Sequence, residues 1–184
     1  MHRVSRRRAI VTGAAALALG APRAGAAEPV PDFEFASIDG GVLRLSAYRG
    51  GPVLVVNTAS RCGYTKQYSG LQALYDRYRA RGLTVLAVPS GDFRQELGSD
   101  AEVKAFCELT FGLDLPMTTL TPVRGPQAHP FYAWLKTTAG FEPTWNFNKV
   151  LLDGEGRVAD VFGSAAKPQS RQITDRITAL LDAK

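Results

Sequence analysis

The fold turns on residues 53–65, Val53-Leu54-Val55-Val56-Asn57-Thr58-Ala59-Ser60-Arg61-Cys62-Gly63-Tyr64-Thr65. The first four are apolar and three of them β-branched, the pattern of a short strand buried on both faces. The run then breaks into polar and small residues and reaches Cys62, the only cysteine in the first half of the chain. Beyond it Leu71, Leu74, Tyr75 and Tyr78 recur at helical spacing, so an amphipathic helix is expected to begin just after the cysteine. Cys62 thus falls at a strand-to-helix junction, where free backbone N–H groups and the positive end of the helix dipole favour thiolate over thiol. Arg61 adds a fixed positive charge beside it. Most free cysteines are packed core residues, but this position argues for a reactive one.

The flanking segments extend the pattern. Gly82 suits a helix C-cap, and Leu83 to Val88 is a second apolar strand, which together make a parallel βαβ unit. Its first strand carries the cysteine at its carboxyl end, where open α/β sheets place their sites. The polar loop Pro89 to Gly98 is expected at that same end. Ser99-Asp100-Ala101-Glu102 has capping-box spacing and opens a helix with Val103, Phe106, Cys107 and Thr110 on one face, so Cys107 reads as a packed core thiol. Upstream, Phe33-Glu34-Phe35 and Val42 to Leu45 alternate around a Gly-Gly turn as a β-hairpin. Downstream, His129-Pro130 precedes a short helix through Lys136, with His129 in a local hydrogen-bonding role. Trp145 to Leu152 and Arg157 to Phe162 read as an antiparallel hairpin, and Ile173, Ile177, Leu180 and Leu181 as a closing helix. The order is that of an α/β, thioredoxin-like fold: a central mixed sheet flanked by helices, with an N-terminal hairpin.

Composition narrows the function. The formal charge of +5 invites a nucleic-acid reading, yet five of the 22 basic residues, Arg3, Arg6, Arg7, Arg8 and Arg23, lie in the first 26 residues, which hold no acid. Taking five from 22 leaves 17 basic against 17 acidic residues, so the remainder offers no basic face. Those first residues have the parts of an export signal: a charged start, an apolar run from Ala9 to Ala21, and a small-residue site at Ala24-Gly25-Ala26. The segment Ser5-Arg6-Arg7-Arg8-Ala9-Ile10 resembles a twin-arginine signal, with Sec export as the alternative. Cleavage near Ala26 and a periplasmic domain over 27–184 are expected, with no stable membrane span.

The chemistry narrows further by spacing. A Cys-x-x-Cys dithiol site is excluded because Thr65 stands at the second position, and a Cys-x-x-x-Cys copper carrier because Lys66 does. Peroxiredoxins place a Thr three residues before their reactive Cys, whereas Thr58 is four before Cys62. A single-thiolate redox site remains. Three motifs then resemble the glutathione peroxidase family: Asn57-Thr58-Ala59-Ser60-Arg61-Cys62-Gly63, Phe93-Arg94-Gln95-Glu96 and Trp145-Asn146-Phe147, in that order. The resemblance implies a catalytic tetrad of Cys62, Gln95, Trp145 and Asn146. It also implies reduction of hydrogen peroxide or organic hydroperoxides through a Cys62 sulfenic acid, without cofactor or metal. The family's loop usually reads Gly-Gly-Gln-Glu-Pro; here Arg94-Gln95-Glu96-Leu97 is one residue shorter and has no proline. Thioredoxin-dependent members carry a resolving cysteine where this chain has Ser90, so an external thiol, glutathione or a thiol protein, is the expected reductant. Tetrameric members resemble one another in an insertion before Trp-Asn-Phe that this chain lacks, which implies a monomer or weak dimer. The alternative is a redox sensor or chaperone that uses the same thiol without rapid turnover.

Overall fold

Strand β3, Val53–Thr58, is the axis of the molecule, and all six of its residues are buried. The computed structural model describes residues 31–183; the expected export signal at 1–26 lies outside them. Around β3 stand the hairpin β1 (Glu34–Ala36) and β2 (Val42–Arg44), helix α1 (Gln67–Tyr78), β4 (Thr84–Pro89), α2 (Asp100–Phe111), α3 (Pro130–Thr138), β5 (Lys149–Leu152), β6 (Val158–Phe162) and α4 (Arg171–Asp182). The main sheet runs in the order β4-β3-β5-β6, with β3 parallel to β4 and antiparallel to β5. The sheet is therefore mixed, as expected, and the β1–β2 hairpin forms a separate antiparallel pair.

The alternation of side chains along each strand divides the core in two. Leu54 and Val56 of β3, Val85 and Ala87 of β4 and Leu151 of β5 face Tyr68, Leu71 and Leu74 of α1, Val103 and Cys107 of α2, and Ile173 and Ile177 of α4. Val53, Val55, Leu86, Val88, Val150 and Leu152 face the other way, onto Phe35 of β1 and Phe131, Tyr132 and Leu135 of α3. A strand apolar at every position is what two covered faces require. Truncating a central residue such as Leu54 to Ala would cost about 2–5 kcal/mol in transfer and cavity terms.

Local signals hold where they rest on backbone chemistry. Gly82 is left-handed at φ 102° and ends the short 3-10 turn Arg79–Arg81 that follows α1. Ser99 caps α2 by accepting from the Glu102 N–H, and its hydroxyl donates to the Glu102 carboxylate. His129 caps α3: its Nδ1 accepts from the Phe131 N–H, its Nε2 lies 2.8 Å from the Glu34 carbonyl, and its ring stacks on Phe35. The local role expected for it is the one observed.

Three expectations need correction. Helix α1 starts at Gln67, five residues after Cys62, because 60–66 form turns rather than helix. Thr110 lies exposed near the end of α2, off the buried stripe of Val103 and Cys107. The strand expected from Trp145 begins only at Lys149, and Trp145 to Phe147 form a turn with Phe147 left-handed at φ 62°. Lys149 itself is fully buried. Burial pushes its amine down to about 8 from the usual value near 10.5. At neutral pH a charged lysine in this position costs on the order of 3 kcal/mol relative to water.

Candidate active site

Cys62 sits in the turn that leaves β3 and is buried, with 8% of its surface exposed. Thr65 fixes this turn. Its hydroxyl accepts from the Cys62 N–H at 3.0 Å and donates to the Ala59 carbonyl at 2.8 Å, while its own N–H donates to the Cys62 carbonyl at 3.0 Å. Among the described residues, the one hydrogen bond that reaches the sulfur comes from the Tyr64 N–H at 3.4 Å. The donor expected from a helix N-terminus is thus supplied by a turn amide, which serves the same purpose of facing a sulfur with a backbone N–H. The Thr that excludes a dithiol site is what holds the cysteine in place.

The loop after β4 is stitched to this turn by backbone and carboxylate. The Arg61 N–H donates to the Gln95 carbonyl at 2.8 Å. The Glu96 carboxylate accepts from the Ser60 N–H at 2.9 Å and the Leu97 N–H at 2.8 Å. Burial pushes the Glu96 carboxyl above its ordinary range, and these two amides work against that shift. Asp92 anchors the other side of the loop by accepting from the Val123 and Arg124 N–H groups at 2.6 and 3.1 Å. Arg94, where the family's loop has glycine, takes the left-handed backbone at φ 57°. Arg94 thus takes the left-handed backbone region that favours glycine.

The third segment closes the arrangement. Asn146 is fully buried and its Nδ2 donates to Gln95 Oε1 at 3.0 Å. Trp145 is 40% exposed, with its ring 5.4 Å from that of Phe93. An ordinary core tryptophan would be buried; this one stands at a surface with one face covered. Asn57 ties the segment to β3 through three bonds. Its Nδ2 donates to the Trp145 carbonyl at 3.0 Å, its N–H donates to the Asn148 carbonyl at 3.2 Å, and its carbonyl accepts from the Phe147 N–H at 2.5 Å. A left-handed aromatic residue costs roughly 1–3 kcal/mol and persists only where surrounding bonds impose it.

The structure thus brings Gln95 and Asn146 into direct contact, ties the Gln95 backbone to the Cys62 turn through Arg61 and ties the Trp145 backbone to β3 through Asn57; among the described residues no hydrogen bond joins the side chain of Gln95, Trp145 or Asn146 to the Cys62 sulfur. Sequence reasoning did not single out Thr65, Glu96 or Asn57 as positioning residues. A hydroxyl three residues after Cys62 is turn chemistry and could have pointed to Thr65; the partners of Asn57 and Glu96 lie 88 and 36 residues away and carry no local signal. Beside the turn an open groove of about 530 Å³ runs between Gly63-Tyr64 and Ala165 to Ser170, with Lys66 and Lys167 both exposed along it. Among the described residues no group of three or more His, Cys, Asp and Glu could hold a metal ion.

The mixed sheet with helices on both faces, carrying a buried thiol at the carboxyl end of its central strand, is a thioredoxin-like fold. Comparison with known proteins makes the assignment more specific. The model of the glutathione peroxidase family matches residues 30–136. The hydroperoxy fatty acid reductase gpx1 of Synechocystis sp. is 42% identical over 147 residues, 74% of this chain and 87% of that protein. A solved structure of Trgpx in its apo form is similar with TM-score 0.65 and 30% identity, covering 85% of this chain and 97% of that one. A thioredoxin-family thiol:disulfide interchange protein from Chlorobium tepidum has the same TM-score at 18% identity, over 86% of this chain and 99% of that one, which bears on the fold alone. This chain belongs to the glutathione peroxidase family, and it is a thiol-dependent peroxidase.

The left-handed Arg94 gives a direct check on the loop. Glycine takes φ 57° without the steric cost borne by arginine, though it loses more entropy on folding. Arg94→Gly is expected to raise unfolding free energy by up to about 1 kcal/mol in denaturant titrations, with peroxide reduction little changed. A loss of stability would show that the Arg94 side chain, rather than its backbone, supports the loop.

Proposed function

We propose that Cys62 is the thiol that reduces hydroperoxides, with Gln95, Trp145 and Asn146 as hydrogen-bonding partners of the reacting centre. The observation that carries this reading is the stitching of three segments, far apart in sequence, around one thiol that receives a backbone N–H. The Cys62 thiolate attacks the terminal oxygen of the hydroperoxide, the O–O bond breaks, and the leaving oxygen takes a proton to depart as alcohol or water. Cys62 is left as sulfenic acid. An external thiol then forms a mixed disulfide with Cys62 and releases water; a second thiol restores the Cys62 thiol and leaves as the disulfide. Amide and indole N–H groups set around the developing charge lower the barrier without reorganising.

The reductant comes from outside because neither internal candidate is suitable. Ser90, at the family's resolving position, is a fully buried hydroxyl. Cys107 is fully buried on α2, and burial pushes its thiol up to about 11, so at neutral pH it is a poor nucleophile. The groove with Lys66 and Lys167 suits an acidic partner, either the carboxylate of an organic hydroperoxide or that of glutathione. The relative from Synechocystis is named for hydroperoxy fatty acids, which supports an organic substrate.

Coupled-assay consumption of hydrogen peroxide and of an organic hydroperoxide tests the assignment. Cys62→Ser is expected to abolish turnover with the fold intact, and Gln95→Ala and Trp145→Phe each to slow it roughly ten- to a thousand-fold. Wild-type rates in both of the latter would remove them from the reaction. The chain is further proposed to be exported to the periplasm and monomeric. Mass spectrometry of the exported protein should give an N-terminus at Ala27 or Glu28 and light scattering a single chain; an intact leader or a stable tetramer would contradict these two readings.

A further inference from the structure

Strand β5 opens with a charged residue in a layer that otherwise holds apolar side chains. Lys149 pairs with Val56 of β3 on one side and Phe162 of β6 on the other. By strand alternation it shares a face with Leu151. That face belongs to the core cluster containing Val56, Phe147, Phe162 and Cys62. Among the described residues its ammonium, fully buried, makes no ion pair; its hydrogen bond is donated to the Phe147 carbonyl at 2.7 Å. Phe147 is the left-handed residue directly after Asn146. It is held from both ends, its N–H by the Asn57 carbonyl at 2.5 Å and its carbonyl by Lys149.

A lysine that served the fold alone would be a poor choice here. An apolar side chain of similar length would fill the same space without burying a charge, and replacing buried charges in this way is often neutral or stabilising. What an apolar side chain lacks is a donor for the Phe147 carbonyl. We propose that Lys149 is a positioning residue for peroxide reduction: its buried ammonium, by donating to the Phe147 carbonyl, holds the turn that sets Asn146 against Gln95 and Trp145 against Phe93. The inference rests on the reading of Cys62 as the reacting thiol.

The bond carries a pH dependence of definite sign. Burial lowers the Lys149 amine to about 8. Below that pH it is an ammonium and a charge-assisted donor; above it the neutral amine donates more weakly, so the hold loosens as pH rises. The other titratable groups around this layer are Tyr68 from α1, Cys107 from α2, Glu96 from the loop after β4, Cys62 beyond β3, and the Asp160–Arg176 pair between β6 and α4. Burial pushes Tyr68 well above its ordinary value and Cys107 to about 11.

The test is the single-turnover rate of hydrogen peroxide reduction by the reduced protein, followed across neutral and alkaline pH for the wild type, Lys149→Met and Lys149→Gln, with Cys62→Ser alongside. Lys149→Met should be at least about tenfold slower than the wild type below pH about 8, the lower end for losing a preset donor, and the ratio of the wild-type rate to its rate should fall as pH rises through that value. Lys149→Gln, which retains an amide donor but no charge, should show the same fall in the ratio, and it carries both readings if the Met variant does not fold. Wild-type rates in the variants overturn the proposal. A slower rate whose ratio to the wild type is the same at every pH does so as well, because Lys149 would then act through packing alone. If Cys62→Ser consumes peroxide at the wild-type rate, the reading of Cys62 falls and this inference with it; if Cys62→Ser is inactive and Lys149→Met matches the wild type, only the inference falls.

Discussion

Asn57 donates or accepts three hydrogen bonds to the turn of Trp145 to Asn148, and the arrangement of the site depends on them. The residue lies on β3, five positions before Cys62, so the strand that delivers the thiol also fixes the turn that delivers Trp145 and Asn146. Asn57, Phe147 and Asn148 are buried, where an unmade hydrogen bond costs about 1–3 kcal/mol. The arrangement therefore resists separation: moving the turn away from β3 would leave several polar groups without partners inside the protein. The Glu96 carboxylate does the same for the third segment through the Ser60 amide. One thiol is thus surrounded by segments that cannot drift independently, as preset donors require.

The same constraint explains the unusual backbone. Arg94 and Phe147 are the two non-glycine residues with positive φ among the described residues, and each stands next to a candidate partner of Cys62, Gln95 and Asn146. Strain of this kind persists when the surroundings over-determine it. Here the surroundings are identifiable: the Arg61–Gln95 and Asp92 bonds for one, the Asn57 and Lys149 bonds for the other. The buried lysine belongs to the same economy, a charge retained in the core at a cost to stability beside a backbone that needs a strong donor.

Much of this was legible in the sequence because it rests on periodicity and local caps. The apolar run at Val53 to Val56 marks β3, the Ser99–Glu102 spacing marks the start of α2, and the stripe of Ile173, Ile177 and Leu181 marks α4. Cys107 was readable as core from its place on an apolar face, and the structure buries it fully. What failed were boundaries set by distant partners. Trp and Phe favour strands, so Trp145 to Phe147 read as strand, whereas the bonds from Asn57 and Lys149, and that from the Thr144 N–H to Asn148 Oδ1, hold them as a turn. The start of α1 was misplaced because Thr65 folds the preceding residues into turns. The identities of Gln95, Trp145 and Asn146 came from a resemblance, while the contact between Gln95 and Asn146 came from the structure.

The central claim is that one thiol performs the reduction and that no second thiol of the chain resolves it. Cys107 is fully buried on α2 and burial pushes its thiol up to about 11, which makes it a poor resolving nucleophile at neutral pH. The most direct measurement is peptide mapping of the reduced protein after one equivalent of hydrogen peroxide with no external thiol present. The account predicts added oxygen on the Cys62 peptide, as sulfenic or sulfinic acid, with Cys107 recovered as a free thiol. A Cys62–Cys107 disulfide in high yield, or an unmodified Cys62 while peroxide is consumed, would contradict it.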